Sequence, residues 1–503
     1  MKPIPFKEHA EELNQFVLFP SNIFELLPED HECFLFADLL QQIETSELEH
    51  NYSHLGQHAY HPGLIVSILI YAYSRGVFSS RQIEQRCNED LSFMFIAQQQ
   101  CPNFRVLSDF RKNNLVFFKD CFKQTVQLAM QLKLSSLGHI SIDGSKFKAN
   151  TSKHKAMTYG HMNKEIERLN LEIDQLTQQA EQCDRHEDDA GQTQGALDIP
   201  KELKFKEQRL QKIKEAKEAL EARENKVNPD QPIDNKKQIS FADTEANIMG
   251  KKGDGFDYNY NAQISVDSDN QIIVGEHISQ KANDYHEVKE ALEQVENNTG
   301  QQPDKASLDN GYHSGNNLNA LEAGGIDAYV AVGKGEKTAL ESLEESDRRV
   351  QKSDFEYDEK NDTFTCPQGQ IIELKRIRKD GRTLYEGDNQ TCSSCPLKAR
   401  CCNSSKGQAR SISGDVNEAV RQRMKKKMDS AHAKEIYSQR KVIVEPPFGH
   451  IKNGGFKRFS LRGLDKVSGE FSLVCAAHNL KKIMRKMKEG LIRPLNVEQV
   501  NRV

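Results

Sequence analysis

Two short stretches decide how this chain is read: ISIDGSKFKANTSK at 140–153 and KASLDNGYHS at 305–314. In the first, the apolar run His139 to Ile142 reads as a strand that meets an acid and a glycine. In the second, Lys305 to Leu308 reads the same way and meets Asp309, Asn310 and Gly311. Asp143 and Asp309 are thus expected where a buried strand gives way to a loop. They are far apart in the chain, but adjacent strands of one sheet would bring both carboxylates to the same edge. Such a pair suits Mg²⁺, which takes oxygen ligands and is commonly held by one or two carboxylates together with substrate phosphates. Asp-Gly and Asp-Asn-Gly are also ordinary turn formers, so the surroundings decide between a site and two turns.

Working outward, YNAQISVDSD (260–269) and QIIVGEHIS (271–279) read as strands joined through Asp267 to Asn270. DYHEVKEALEQVENN (284–298) and SGNNLNALEAGG (314–325) read as helices, and DAYVAVG (327–333) as a strand. This order predicts a mixed sheet of the α/β class. Residues 163–227 break the pattern. Ile166, Leu169, Ile173, Leu176, Ala180 and Cys183 recur at 3–4 spacing, and after DRHEDDAGQTQG the spacing resumes with Leu203, Leu210, Ile213, Leu220 and Val227. That predicts an antiparallel helical hairpin inserted into the domain, a solvated spacer or self-association device. Upstream, about 55–130 reads as helix, turn and helix, with Ser79 and Ser80 as N-cap candidates. The short helix Val106 to Lys112 carries Arg105, Arg111 and Lys112 and reads as either a phosphate-facing helix or a scaffold.

A third acid comes near the C-terminus. From Arg440 to Lys486 eleven Lys and Arg stand against three acids, Glu445, Asp465 and Glu470. A lone acid among so many cations is either a salt-bridge partner or a metal ligand beside a phosphate-binding surface. Lys457, Arg458, Arg462, Lys481 and Lys482 form a local basic patch suited to neutralising DNA phosphates. Glu470, beside Phe471, Leu473 and Val474, reads as a packing or helix-surface acid, and Pro446 and Pro447 put the start of the local helix at or after them. Cys366, Cys392, Cys395, Cys401 and Cys402 cluster. Cys392 and Cys395 with Cys366 and Cys401 (or Cys402) offer four thiolates for a structural zinc ion. The other reading is a set of reduced cysteines beside a basic loop, Lys375 to Arg382.

Composition narrows the classes further. Net charge is −5 with 37% hydrophobic and 28% charged residues, short of the signature of disorder. The longest apolar run, Leu64 to Tyr73, is about half of the roughly 20 residues a bilayer demands, and the N-terminus lacks a signal-peptide core. Neither a membrane span nor export is expected. The clustered cysteines point to metal ligation in a reducing compartment rather than a disulfide framework.

The motifs in this order resemble the DDE transposases of bacterial insertion sequences, in the branch with a Tyr-Arg-Glu-Lys signature. HPGLIVSILIYAYSRGVFSSRQIEQRCNED (61–90) is similar to the family's N-terminal helical domain, ISIDGSKFKANTSK to its first-aspartate motif and LDNGYHS to its second. VEPPFGHIKNGGFKRFSLRGLDKVSGEFSLVCAAHNLKK (444–482) is similar to its glutamate segment. The resemblance implies a ribonuclease-H-like mixed-sheet catalytic core, an all-α N-terminal domain and an inserted helical hairpin. It implies Asp143, Asp309 and Glu445 as catalytic ligands of two Mg²⁺ (or Mn²⁺) ions, and Lys452 as a phosphate contact. Four residues rather than three separate Arg440 from Glu445, so either Arg440 or Lys441 fills the arginine role. With no tryptophan in the chain, any base-stacking role falls to Phe, Tyr or His.

The implied organisation is a helical DNA-binding region at 1–135, the core at 136–162 and 228–335, and the coiled-coil hairpin at 163–227. A Cys-rich basic insert follows at 336–415 and the glutamate-bearing helical end at 416–503. The implied activity is metal-dependent cleavage at element ends, then attack of the freed 3′-OH on target DNA. The implied partners are double-stranded DNA, both terminal inverted repeats and target, and a second copy of the chain in a homodimer or higher complex. The expected location is the bacterial cytoplasm, with the nucleoid. Alternatives are a nuclease of the same core fold that cuts without strand transfer, and a catalytically decayed zinc and coiled-coil DNA-binding protein.

Overall fold

The computed structural model describes residues 22–50, 52, 59–190, 199–227, 229, 231–251, 255–332, 349–378, 381–402 and 408–492. Among them no helix is long and apolar enough to cross a membrane. The chain divides into two units, 1–117 with 480–503, and 118–479.

The first unit is built from α1 (Glu32–Leu40), α2 (Ser46–Glu49), α3 (Pro62–Ser74), α4 (Ser80–Glu89), α5 (Leu91–Ile96) and α6 (Phe104–Asn113). The apolar run Leu64 to Tyr73 is α3, buried on nearly every side, as a helix apolar all round has to be. Pro62 opens it, where a missing N–H costs nothing, and His61 Nδ1 accepts from Gly63 N. Arg111 on α6 faces inward: 4% exposed, it donates to Tyr73 Oη at 2.7 Å and Phe78 O at 3.0 Å. That settles α6 as scaffold at this position rather than as a phosphate-facing surface. Lys481, in the same unit, donates to Ser74 O, and burial lowers the pKa of both Lys481 and Lys482. These two lysines are therefore half-buried packing residues and not the solvent-facing cations the charge pattern suggested.

The second unit begins in α7 (Leu115–Gln131) and continues through β1 (Ile140–Lys148), β2 (Ala156–Thr158), α8 (Tyr159–Ala190), α9 (Ile199–Val227), β3 (Gln238–Ser240), β4 (Asn247–Lys251), β5 (Gly255–Asp267), β6 (Ile273–Ser279), α10 (Val288–Thr299), β7 (Lys305–Leu308), α11 (Gly315–Ala323) and β8 (Asp327–Val330). The main sheet runs β4-β5-β1-β7-β8, with β6 also pairing β5. β1 is antiparallel to β5 and parallel to β7, and β7 is parallel to β8. The strand order read from sequence is thus a mixed sheet. β1, however, is longer than expected: it does not stop at Asp143 but continues to Lys148, because its pairing with β5 persists after its pairing with β7 ends.

α8 and α9 interrupt the sheet strands between β2 and β3, which pair with each other. Leu169, Leu210, Ile213 and Leu220 bury one shared face with Met162, Ala216 and Ile239, and Ile166 and Ile173 pack against it. The ion pairs Glu165–Arg209 and Glu172–Lys206 run in opposite sequence order, so the helices are antiparallel. The side chains of Ala180, Cys183 and Val227 lie outside the described residues.

Residues after β8 form elements the sequence reading did not anticipate. β9 (Glu356–Asp358), β10 (Thr363–Thr365), β11 (Ile371–Ile377), β12 (Arg382–Glu386) and β13 (Ser411–Asp415) make an antiparallel sheet around Phe355, Phe364, Ile372, Tyr385 and Ile412. The short helices α12 (Asn389–Ser393) and α13 (Lys398–Cys401) carry four of the clustered cysteines or flank them. Then come α14 (Glu418–Asp429), α15 (Ala431–Ser438), α16 (Arg440–Asn453) and α17 (Leu464–Lys488). α16 does not wait for its prolines: Pro446 and Pro447 lie inside it, and Val444, Pro447, Phe448 and Ile451 are buried on its inner face. That packing offsets the lost backbone donors.

Glu470 on α17 is fully buried, and its carboxylate accepts from Ser460 N, Ser460 Oγ and Leu461 N. It pins the loop between α16 and α17. Glu470→Ala leaves three donors without an acceptor, and the expected loss is about 3–5 kcal/mol of unfolding free energy. Chemical denaturation measures it, and a loss below about 1 kcal/mol would show that the staple is not structural.

Candidate active site

The last parallel pair of β1 and β7 is Ile142 with Leu308. Asp143 and Asp309 are therefore the next residue on each of two neighbouring strands, which is how residues so distant in sequence meet. Asp309 leaves its strand and caps the following turn, its Oδ1 accepting from Gly311 N at 2.7 Å. Asp143 remains within β1, with its side chain 19% exposed. Arg440, 10% exposed at the start of α16, donates to Asp143 Oδ2 at 3.3 Å. Burial, together with the charge of Asp309, raises the Asp143 carboxyl to about 6 against the opposing pull of Arg440. Arg440 gains from the pair, whereas Asp143 on balance does not.

α16 packs on β1 and β5 and is tied down at both ends. Beyond Arg440, Lys452 Nζ donates to Ser145 Oγ and lies over the rings of Phe147 and Phe448 at 5.1 and 5.8 Å. Lys452 lies seven positions after Glu445, nearly two turns, so both occupy one flank of the helix. Glu445 is exposed and lies between the two anchors. Of the two candidates for the arginine role, Arg440 is the one that reaches Asp143, while Lys441 is exposed. Tyr437 hydrogen-bonds to Arg440.

Lys457, Arg458 and Arg462 are exposed beside the far end of β1. Lys148 N donates to Lys457 O, Phe459 N donates to Lys148 O, and Arg462 Nε donates to Asn150 O at 2.9 Å. All five cysteines of the insert line one pocket with Lys398 and Arg410. Cys402 hydrogen-bonds to Cys401 and Cys392, and Gln370 N donates to Cys366 Sγ at 3.4 Å. Burial, followed by its neighbour Cys402, pushes the Cys401 thiol up to about 11. Among the described residues, no three Cys, His, Asp or Glu side chains stand together as a preformed metal-ligand set.

Sequence reasoning missed the polar side chains behind Asp143. On β5, Asn259, Asn261, Gln263, Ser265 and Asp267 alternate with Tyr258, Tyr260, Ala262, Ile264 and Val266, a pattern that ordinarily means one solvated face. Here the polar face is buried. Gln263 Nε2 and Asn261 Nδ2 donate to Asp284 Oδ1 at 2.6 and 2.7 Å, and Tyr312 Oη donates to Gln263 Oε1. Burial, then Asp284, Asp143 and Asp309, raise the Tyr312 phenol well above its usual range. The sequence reading began a helix at Asp284, yet α10 starts at Val288, because the Asp284 carboxylate is engaged across the sheet. The available signal was a strand whose first polar positions, Asn259, Asn261 and Gln263, are amides rather than charges.

Residues 365–484 match the family described as Transposase DDE domain, and residues 21–113 match the family described as Transposase domain (DUF772). Both matches are to transposase domains and are consistent with a DDE transposase of an insertion sequence. Glu445 and the clustered cysteines fall inside the first match, whereas Asp143 and Asp309 fall outside both. No curated protein and no solved structure matches the chain.

The raised pKa of Asp143 has a sign. Its neutral form is favoured in the folded chain, so its contribution to stability is full below about pH 4 and is lost as pH rises through about 6. Asp143→Asn should therefore melt no lower than the parent at pH 7.5, with an advantage that shrinks toward pH 5. A variant less stable than the parent at pH 7.5 would show that the Arg440 pair dominates.

Proposed function

We propose that this chain is an insertion-sequence transposase with a ribonuclease-H-like core, cleaving DNA at element ends and joining the freed 3′-OH to target DNA. The observation that carries this reading is the meeting of Asp143 and Asp309 one step past the last parallel pair of β1 and β7, under a helix bearing Arg440, Glu445 and Lys452. The order β6-β5-β1-β7-β8, with the first three strands antiparallel and the last three parallel, supports the core fold.

Asp143, Asp309 and Glu445 would hold the divalent cations that family resemblance implies. Oxygen donors on a partly exposed rim fit Mg²⁺, which keeps waters and shares its ligands with substrate phosphates. When bound, such ions activate the attacking oxygen and neutralise charge on the phosphate. The chain's own part is positioning and charge. Arg440 offsets the Asp143 carboxylate, Lys452 holds the α16 flank against β1, and Lys457, Arg458 and Arg462 grip the DNA backbone. No protein nucleophile is required. The clustered cysteines would bind one structural zinc ion through Cys366, Cys392 and Cys395 with Cys401 or Cys402.

The test uses duplexes carrying the element's terminal repeats, with Mg²⁺. Cleavage and joining should fall by at least about a thousandfold in Asp143→Asn, Asp309→Asn and Glu445→Gln, while DNA binding survives. Cleavage without joining by the parent chain would favour the nuclease reading. Replacing Lys457 and Arg458 with Ala should flatten the log–log salt dependence of binding by roughly 1.8, at about 0.9 per lost phosphate contact. An unchanged slope would move the contact surface elsewhere. Protein purified without added zinc should contain about one zinc per chain, lost in Cys392→Ser; zinc-free, folded and active protein would remove that assignment.

A further inference from the structure

Gly449 lies inside α16, four positions after Glu445, and no contact among the described residues accounts for it. In a helix interior glycine weakens folding by roughly two- to fivefold in the equilibrium constant relative to alanine, and its usual reasons are a positive φ or a crowded neighbour. Gly300, which ends α10, has the first reason, with a φ of 77°. Gly144 has the second, because a Cβ there would lie 2.7 Å from Asp284 Oδ1 and would collide with Gln263. Gly449 has neither. It is helical and outside the positive-φ glycines, and a Cβ built on it would meet no atom of the described residues within 4 Å.

The flank that carries Gly449 is open. Val442, Glu445 and Gly449 recur at i, i+3 and i+7, so they share one side of the helix, away from the buried Val444, Pro447, Phe448 and Ile451. Val442 is 70% exposed and Glu445 is exposed. Charge selects the partner: Lys441 precedes, and Lys452, Lys457 and Arg458 follow, a single acid, Glu445, so the flank and its continuation favour a polyanion. Gly449 stands about 6 Å from Glu445 along the helix axis at 1.5 Å per residue. That is less than two base-pair steps at about 3.4 Å each. A strand lying along α16 with a phosphate at Glu445 therefore passes Gly449 within two nucleotides.

We infer that Gly449 is the point of closest DNA approach on α16: the sugar-phosphate backbone packs directly on the helix backbone there, and a side chain would hold the strand away from Glu445. This deepens the transposase reading and rests on it for the identity of the DNA. The glycine is a loss to the free chain that is recovered only when the strand is seated.

The experiment compares the full chain with Gly449→Ala and Gly449→Leu in two measurements: melting temperature without DNA, and affinity for a duplex carrying the element's terminal repeats. Alanine and leucine are both better helix formers than glycine, so both variants should melt at or above the parent temperature. Affinity should fall about tenfold with alanine and further with leucine. Variants that melt higher and bind as the parent does would show that no strand approaches here, and variants that melt lower would show that the fold itself needs the glycine. Either result overturns the inference and leaves the transposase reading standing. A DNA-free dimer of the parent that Gly449→Ala dissociates would assign the approach to a second copy of the chain and also overturns it. Gly449-dependent binding by a parent chain that cuts no DNA would overturn the transposase reading and leave the approach standing, and a parent that does not bind the duplex overturns both.

Discussion

β1 is hydrogen-bonded to β7 over three residues and to β5 over nine. The unequal lengths of these two ladders set the geometry of the acidic end of the sheet. The short parallel ladder stops at Ile142 and Leu308, so the chain after Leu308 turns away and exposes Asp309 at the strand tip. The long antiparallel ladder holds Asp143 rigid within the sheet at the same level. One aspartate is therefore fixed by strand pairing and the other by its own turn, through Gly311 N. A longer β7 ladder would bury Asp309 between strands. A shorter β5 ladder would release Asp143 into a loop, where about 1–2 kcal/mol per residue of backbone ordering would fall to the substrate complex.

The same extension of β1 organises the helical end of the unit. Ser145 and Phe147 lie past Asp143 on the strand, and they receive Lys452 and the rings of Phe448, Phe456, Phe459 and Phe471. α16 can then tolerate two internal prolines, because its position is set by this apolar contact and by Arg440 and Lys452 at its two ends. Glu470 fixes the loop that follows. Glu445, on the exposed flank between the anchors, has no ion-pair partner among the described residues while its backbone is held in α16.

Much of this was legible in the residues. That Asp143 and Asp309 would meet was readable from two strand ends, and the 3–4 spacing of Ile166, Leu169 and Ile173, resumed at Leu210 and Ile213, pointed to the helical hairpin. What escaped was decided by partners distant in sequence. Asp143 looked terminal because Asp-Gly resembles a turn, but Gly144 is needed for closeness to Asp284, Asn261 and Gln263 rather than for turning. Asp284 looked like the first residue of a helix, a common place for an acid near the macrodipole. Arg111, Lys481 and Lys482 read as surface cations because sequence carries no record of which carbonyl a long side chain will find. The β9–β13 sheet was hidden by short strands whose charged residues face solvent.

Global charge and local charge answer different demands in this chain. The net charge of −5 places it slightly on the acidic side, and the carboxylates near Gly311 would repel DNA if they stood alone. The cations that counter this are not scattered. Lys457 and Arg458 are joined to the end of β1 by the backbone bonds between Lys148 and residues 457 and 459. Lys148 lies five positions beyond Asp143 on the strand, about 17 Å at roughly 3.3 Å per residue. At 3.4 Å per base pair that is about five base pairs of duplex. On the proposed function, one strand would carry a catalytic acid at one point and a phosphate-gripping patch at a fixed distance along it. With that spacing held by a nine-residue ladder, a duplex seated on the patch as proposed would be registered against Asp143 without a flexible element between them.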